Sequence, residues 1–319
     1  MSLLMGNSKS VHLDFVDKVE FDQILTNPIL DIGARFWEKE RYEAFRVCYR
    51  SMRIIDDLVD DRKTTGQPLT QAEIDEYRRE MTDWLESVHS GQSTDPFLDS
   101  FRTTQKRFAI PLWPWERLVK AMSYDLVSDG FSSFLSFLRY TEGAAIAPAS
   151  VFMHLCGVSI TADGRIVPPR YDVRLAARPL AIFSYVVHII RDFEKDQASN
   201  LNYFPSTLLG KYRLDRTELT AIARSNSPTE SFRKLIGFYQ RAAEFYRTKA
   251  RKALDTLADL LEPQYLLSLE VIYGLYHQIF ERIDPKAASF STAAMNPSPE
   301  QVRARLTRII DRFANSTTS

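Results

Sequence analysis

Four aspartates close one apolar stretch of this chain: Tyr49-Arg50-Ser51-Met52-Arg53-Ile54-Ile55-Asp56-Asp57-Leu58-Val59-Asp60-Asp61. On a helix Asp56 and Asp60 share a face one turn apart, as do Asp57 and Asp61 beside them. Like charges so placed repel unless a cation sits between them, and neutralising one of them is expected to relieve the fold. Arg53 shares the face of Asp56 and offers a forked donor suited to phosphate oxygens. A second stretch, Tyr185-Val186-Val187-His188-Ile189-Ile190-Arg191-Asp192-Phe193-Glu194-Lys195-Asp196, ends the same way, with Asp192 and Asp196 one turn apart and Arg191 beside them. Two such ends facing each other would line the mouth of an apolar cavity with carboxylates, the hard oxygen environment that Mg²⁺ favours. The matching chemistry is ionisation of an allylic diphosphate. Metal and arginine stabilise the departing anion while the cavity keeps the carbocation from water.

Elements that could hold these side chains are helices. Glycine is scarce, at 11 of 319 residues, and segment after segment repeats apolar residues every three or four positions. The pattern predicts helices over 29–60, 71–88, 97–108, 114–125, 131–156, 171–197, 217–224, 229–260, 264–283 and 299–313. Turn chemistry separates them at Thr65-Gly66-Gln67-Pro68, Ser93-Thr94-Asp95-Pro96 and Asn296-Pro297. Asp163-Gly164, between short β-branched runs, predicts a small hairpin inside Val158 to Pro169. The fold class is therefore all-α, in one domain: an N-terminal arm (1–28), a helical body (29–284) and an extension with one amphipathic helix (285–319).

Composition removes other classes. Lys plus Arg equals Asp plus Glu at 41 each, so no global field favours nucleic acid, and anion chemistry must be local. Cys48 and Cys156 sit in apolar stretches without zinc-type spacing and read as reduced core residues of a cytoplasmic protein. The start is too short in apolar residues for a signal peptide, and Met1 to Leu4 reads as an expression scar. No run approaches the roughly 18 uninterrupted apolar residues of a membrane span. The arginine-rich last helix leaves two readings open, a solvated surface or peripheral contact with the inner face of a membrane, where an apolar product could leave.

At the two acidic segments the sequence resembles the squalene/phytoene synthase family. Tyr49, Arg53, Asp56, Asp57 and Asp60 match its Tyr-x-x-x-Arg-x-x-Asp-Asp-x-x-Asp pattern; Arg191, Asp192 and Asp196 match its Arg-Asp-x-x-x-Asp, followed by Tyr203-Phe204-Pro205. Weaker correspondences are Met122 and Asp125, the small-residue run from Tyr140 through Ala144 and Ala145, and Tyr276 to Ile283. The resemblance implies an all-α isoprenoid synthase bundle around a central apolar cavity and Mg²⁺-dependent, head-to-head condensation of two farnesyl or geranylgeranyl diphosphates. It implies metal binding at Asp56, Asp60, Asp192 and Asp196, diphosphate binding at Arg53 and Arg191, and Tyr49 and Tyr140 near the reacting groups. Ala144 and Ala145 would leave room for prenyl chains.

Three positions depart from the family's pattern: Tyr185 and His188 replace its Gln and Asn, and Lys195 its usual Glu. Tyr185 and His188 are expected to reach the substrate, with the Tyr185 ring narrowing the cavity. Other readings are a head-to-tail prenyl diphosphate synthase, a terpene cyclase and a non-catalytic scaffold. The first two fit Asp56-Asp57-x-x-Asp60 but not the second motif; a scaffold would be expected to lose its aspartates. A reductive ending would need NADPH, for which no Gly-rich dinucleotide fingerprint is present, although relatives that reduce do so without one. Chain length of the substrate and oligomeric state are not encoded in these motifs.

Overall fold

The computed structural model describes residues 13–63, 67, 69–90, 95–128 and 130–316, with 60–63 described by their backbone alone. The proposed scar, most of the two turns near 65 and 94, and the side chain of Asp60 lie outside the described residues. Short helices α1 (Phe21–Ile24) and α2 (Ile29–Ala34) lead into α3 (Lys39–Lys63). Next come α4 (Gln71–Ser90), α5 (Pro96–Arg107) and α6 (Trp113–Asp125). From α7 (Phe134–Thr141) the chain runs through a π-helical turn (Glu142–Ile146) into α8 (Ala147–Gly157), and the hairpin of β1 (Ser159–Ile160) and β2 (Ile166–Val167) connects to α9 (Val173–Arg191). After α10 (Phe193–Ala198), α11 (Ser206–Tyr212) and α12 (Arg216–Ser225) come α13 (Glu230–Leu257), α14 (Pro263–Phe280), α15 (Thr292–Met295) and α16 (Pro299–Ser316).

Capping chemistry fixes several starts. Asp95 accepts from the Phe97 amide ahead of α5, Asp172 from Leu175 ahead of α9, and Asp215 and Glu218 cap α12 reciprocally. The hairpin pairs Ser159 with Val167 and Ile160 with Ile166, and Gly164 takes the positive φ (81°) of its turn. Along α3 the buried stripe is Phe45, Cys48, Met52, Ile55 and Val59, a three- and four-residue repeat that faces the core. Tyr49, Arg53 and Asp56 form the next stripe round and are turned towards a cavity.

Three predicted helices are not continuous. The stretch 29–60 breaks after α2, where consecutive Phe36 and Trp37 are buried in different apolar clusters. The stretch 131–156 stays helical but loosens into the π turn just before Pro148, whose missing N–H could not continue an ordinary ladder. A bend follows Arg191, although Asp192 N–H still reaches the His188 carbonyl (2.9 Å) and Asp196 N–H the Asp192 carbonyl (2.8 Å).

Helix α9 is the central strut, packed against α13, α8, α14 and the π turn. It is long and apolar enough to cross a membrane by length and composition, yet half of that stretch is buried inside the fold. Helix α14 carries α2 on one side and α16 on another. Leu306 and Phe313 of α16 join Leu13, Val19 and Ile24 in one cluster with Leu267 and Val271. The apolar face that could have met lipid is thus used in packing. Arg303 pairs with Asp22 and Arg305 with Glu281.

Close approach is most severe at Gly143, where an added Cβ would run into the Arg117 carbonyl oxygen and sit 2.6 Å from Ala121 Cβ. Because the obstacle includes backbone of α6, Gly143→Ala is expected to lower stability by about 1–3 kcal/mol, the usual cost of overpacking. A urea-denaturation midpoint equal to that of the unaltered protein would show that the π turn can slide away from α6.

Candidate active site

The helix ends converge on a cavity of about 970 Å³. Tyr49, Arg53, Asp56 and Asp57 of α3 line one side of its mouth; His188 and Arg191 of α9, Asp192 at the bend, and Lys195 and Asp196 of α10 line the other. Tyr140, Ala144, Ala145 and Tyr185 form the wall below, continued by Ala149, Ala181 and Leu180. Each sequence-predicted site residue whose side chain is described therefore reaches one space. Of the aromatic run Phe131, Phe134, Phe137 and Tyr140, Tyr140 faces the cavity, whereas Phe131 and Phe137 are core and Phe134 packs on Phe238 and Tyr239.

The two acidic ends differ electrically. Arg53 Nη1 donates to Asp56 Oδ2 at 2.7 Å, and its Nη2 reaches Asp57. Burial nevertheless outweighs Arg53 at Asp56 and, with the charge of Asp125 added, raises its carboxyl above the ordinary range. At Asp192 burial also pushes upwards, but Arg191 binds both oxygens (2.6 and 2.8 Å) and His188 Nε2 lies 2.8 Å from Oδ2. Those bonds and charges hold Asp192 well below the usual carboxylate range. Asp192 is therefore stabilised as an anion, and Asp56 is disfavoured as one by burial and by Asp125 on another helix.

Beneath the mouth, the Tyr140 hydroxyl donates to Asp125 at 2.5 Å, and both residues are buried. The Tyr185 ring stacks on Phe137 (centroids 6.0 Å apart, 14° between planes) and edges against Tyr203. Burial, followed by neighbouring charges, raises the hydroxyls of Tyr140 and Tyr185; it also raises those of Tyr49 and Tyr276, against the opposing pull of a nearby arginine. All four are protonated donors at neutral pH. Ser184, on the same wall, has a buried hydroxyl with no hydrogen-bond partner among the described residues.

Spacing did not mark Asp125 as a site residue. The Met122–Asp125 resemblance was its one signal, and its importance comes from facing Tyr140 across two helices. A wider groove of about 1180 Å³, carrying Arg46, Arg50 and Phe97, lies on the other side of Tyr49 and lacks paired acidic helix ends among its lining residues.

Among the described residues no three His, Cys, Asp or Glu side chains form a ready-made ion site. Asp56, Asp57, Asp192 and Asp196 line the same cavity and are oxygen donors of the kind Mg²⁺ takes, with few protein ligands and a shell completed by water and phosphate oxygens.

An all-helical bundle around an apolar cavity, with an acidic mouth braced by arginines, defines the class. The family model described as squalene/phytoene synthase matches residues 32–309, and the chain belongs to that family. It is 22% identical over 253 residues to phytoene synthase 2, chloroplastic, of Oryza sativa subsp. japonica, covering 79% of this chain and 59% of that protein. It thus spans less than two thirds of the length of that relative. Against phytoene synthase 2, chloroplastic, of Solanum lycopersicum the identity is also 22%, over 79% of this chain and 76% of the relative. The fold matches a squalene synthase of Alicyclobacillus acidocaldarius with a TM-score of 0.60 at 18% identity, over 86% of this chain and 96% of that one. For a dehydrosqualene synthase in complex with ligand the TM-score is 0.68 at 14% identity, over 94% and 96%.

Opposite electrostatics predict opposite mutational effects. Asp192→Asn should lower the melting temperature at neutral pH. Its lowered carboxyl contributes stability above the unfolded-state pKa of about 4, which is lost as pH falls through the folded value. Asp56→Asn should leave the melting temperature unchanged or raise it, since a charge disfavoured by the fold is removed. Equal shifts for the two substitutions across pH 3–8 would contradict this assignment.

Proposed function

We propose that this chain condenses two isoprenyl diphosphates head to head, with Mg²⁺, into a squalene-, dehydrosqualene- or phytoene-type product. The carrying observation is the pair of acidic helix ends, each with its own arginine, over one apolar cavity. Family membership supports the same reading. When bound, Mg²⁺ would supply Lewis-acid stabilisation of the departing diphosphate, held through Asp56, Asp192, Asp196 and Asp60.

The chain's own groups supply the rest. Arg53 and Arg191 grip diphosphate oxygens as the allylic C–O bond breaks and its electron pair leaves with the diphosphate. Protonated Tyr49 donates to oxygens at the rim, while Tyr140, its one hydroxyl proton given to Asp125, lies near the reacting carbons. Tyr140 is held in place by Asp125. The carbocation left behind is attacked by the double bond of the second chain, and the cation so formed closes to a cyclopropyl intermediate as a C–H bond breaks and its proton passes to the released diphosphate. The second diphosphate stays on the intermediate, and the wall of Ala144, Ala145, Ala149 and Leu180 keeps water away. Aromatic faces of Tyr140 and Tyr185 stabilise the passing charge. The apolar product would leave towards lipid, which makes a peripheral membrane position part of the proposal; use of NADPH belongs to a reductive ending.

Two experiments test the reading. Diphosphate release from farnesyl or geranylgeranyl diphosphate should require Mg²⁺ and stop with excess chelator, and extracted lipids with and without NADPH identify the ending; full turnover in chelator would sink the mechanism. In the second, Tyr185→Gln frees volume beneath the mouth and adds an amide. The product ratio or chain-length preference should change while metal dependence stays. An unchanged product spectrum from active Tyr185→Gln protein would reduce the ring to packing on Phe137.

A further inference from the structure

Four basic side chains line the cavity: Arg53, His188, Arg191 and Lys195. Three are engaged with carboxylates, Arg53 with Asp56 and Asp57, and His188 and Arg191 with Asp192. Lys195 has no carboxylate within 4.0 Å among the described residues, and its side chain is exposed at the rim. It sits three residues after Asp192 and one before Asp196, on the helical face shared with Asp192. Its neighbour Glu194 is turned away, accepting from the Thr292 amide at 2.7 Å. An ammonium left uncommitted beside committed arginines is the group freest to meet an incoming anion, because it gives up no existing pair to do so.

From this arrangement we infer that Lys195 is a diphosphate-binding residue that places a fixed positive charge at the mouth before any metal arrives. The inference rests on the proposed function and deepens it. Part of the anion's charge is met by the chain itself, so the diphosphate end of a substrate docks first on α10 and then recruits Mg²⁺ together with Asp192 and Asp196. Lys195 acts as a point charge with three rotatable donors, and arginine can replace it at this exposed position.

Inorganic pyrophosphate is the probe, titrated calorimetrically into the full chain in chelator and at rising Mg²⁺. Unaltered protein should bind it without metal, and Lys195→Gln should bind roughly tenfold or more weakly there, the scale of a lost charge-assisted contact. The gap should narrow as Mg²⁺ rises, and Lys195→Arg should restore affinity. Absence of metal-free binding by the unaltered protein, or equal affinities for the unaltered and Lys195→Gln proteins at every Mg²⁺ concentration, would overturn the role of Lys195 while leaving the condensation reading intact. Failure of pyrophosphate to bind even at saturating Mg²⁺ would remove both.

Discussion

Carboxylates gathered over an apolar cavity have to be neutralised by something, and in this fold two arginines do it from within the same helices. Arg53 spans Asp56 and Asp57, and Arg191 clamps Asp192. Without them the mouth would be a set of partly buried like charges, each carrying an unmet desolvation cost. Much of the bundle follows from keeping these two ends opposite each other. Helix α3 is pinned by Trp115 Nε1 donating to Ser51 Oγ (2.9 Å), and Arg41 at its start donates to the Val158 carbonyl (2.7 Å). Helix α9 is held between α13 and α8.

The brace is not symmetric, and the asymmetry has a mechanistic meaning. Asp192 is already ionised and oriented by three hydrogen-bonding contacts, so the charge on the α9 side is held in place and already met. Asp56 is destabilised as an anion by burial and by the nearby charge of Asp125. Added positive charge therefore gains more at the α3 side, where it relieves an existing penalty, than at the α9 side, where it must compete with Arg191. Asp125 links this electrostatics to the cavity wall. Its carboxylate orients Tyr140, so a phenol of the cavity wall is tied to the charge state of the mouth.

Most of the architecture was legible in the chain because helical periodicity and capping residues act locally. The hairpin at Asp163-Gly164 and the helices α4, α5 and α6 fall where these signals put them. Other features depend on partners distant in sequence and left no local trace. The break after α2 comes from two adjacent aromatic side chains finding different clusters, and the tight seat of Gly143 against the α6 backbone from the packing of one helix on another. Helices as short as α11 and α15 carry too few residues to show a period. At the site, aspartate and arginine spacing identified the mouth, but spacing cannot say that Arg191 and His188 both choose Asp192. The amphipathic pattern of α16 likewise announced an apolar face without saying that α14 would cover it.

The departures from the family's pattern share one wall. Tyr185, His188 and Lys195 follow each other at three- and seven-residue spacing along α9 and α10, and all three line the cavity. A ring stands where an amide would be, an imidazole holds Asp192, and an ammonium replaces a carboxylate at the rim. Each exchange alters volume or charge on the side where Asp192 is already held, whereas Tyr49, Arg53 and Asp56 on the α3 wall keep the common pattern. On the proposed function, the α3 wall keeps the family's residues, while the shape and charge that a prenyl chain would meet along α9 are this protein's own. Differences in substrate length or product should accordingly arise from the α9 wall, through the space left by Tyr185 and the anion contacts of Lys195.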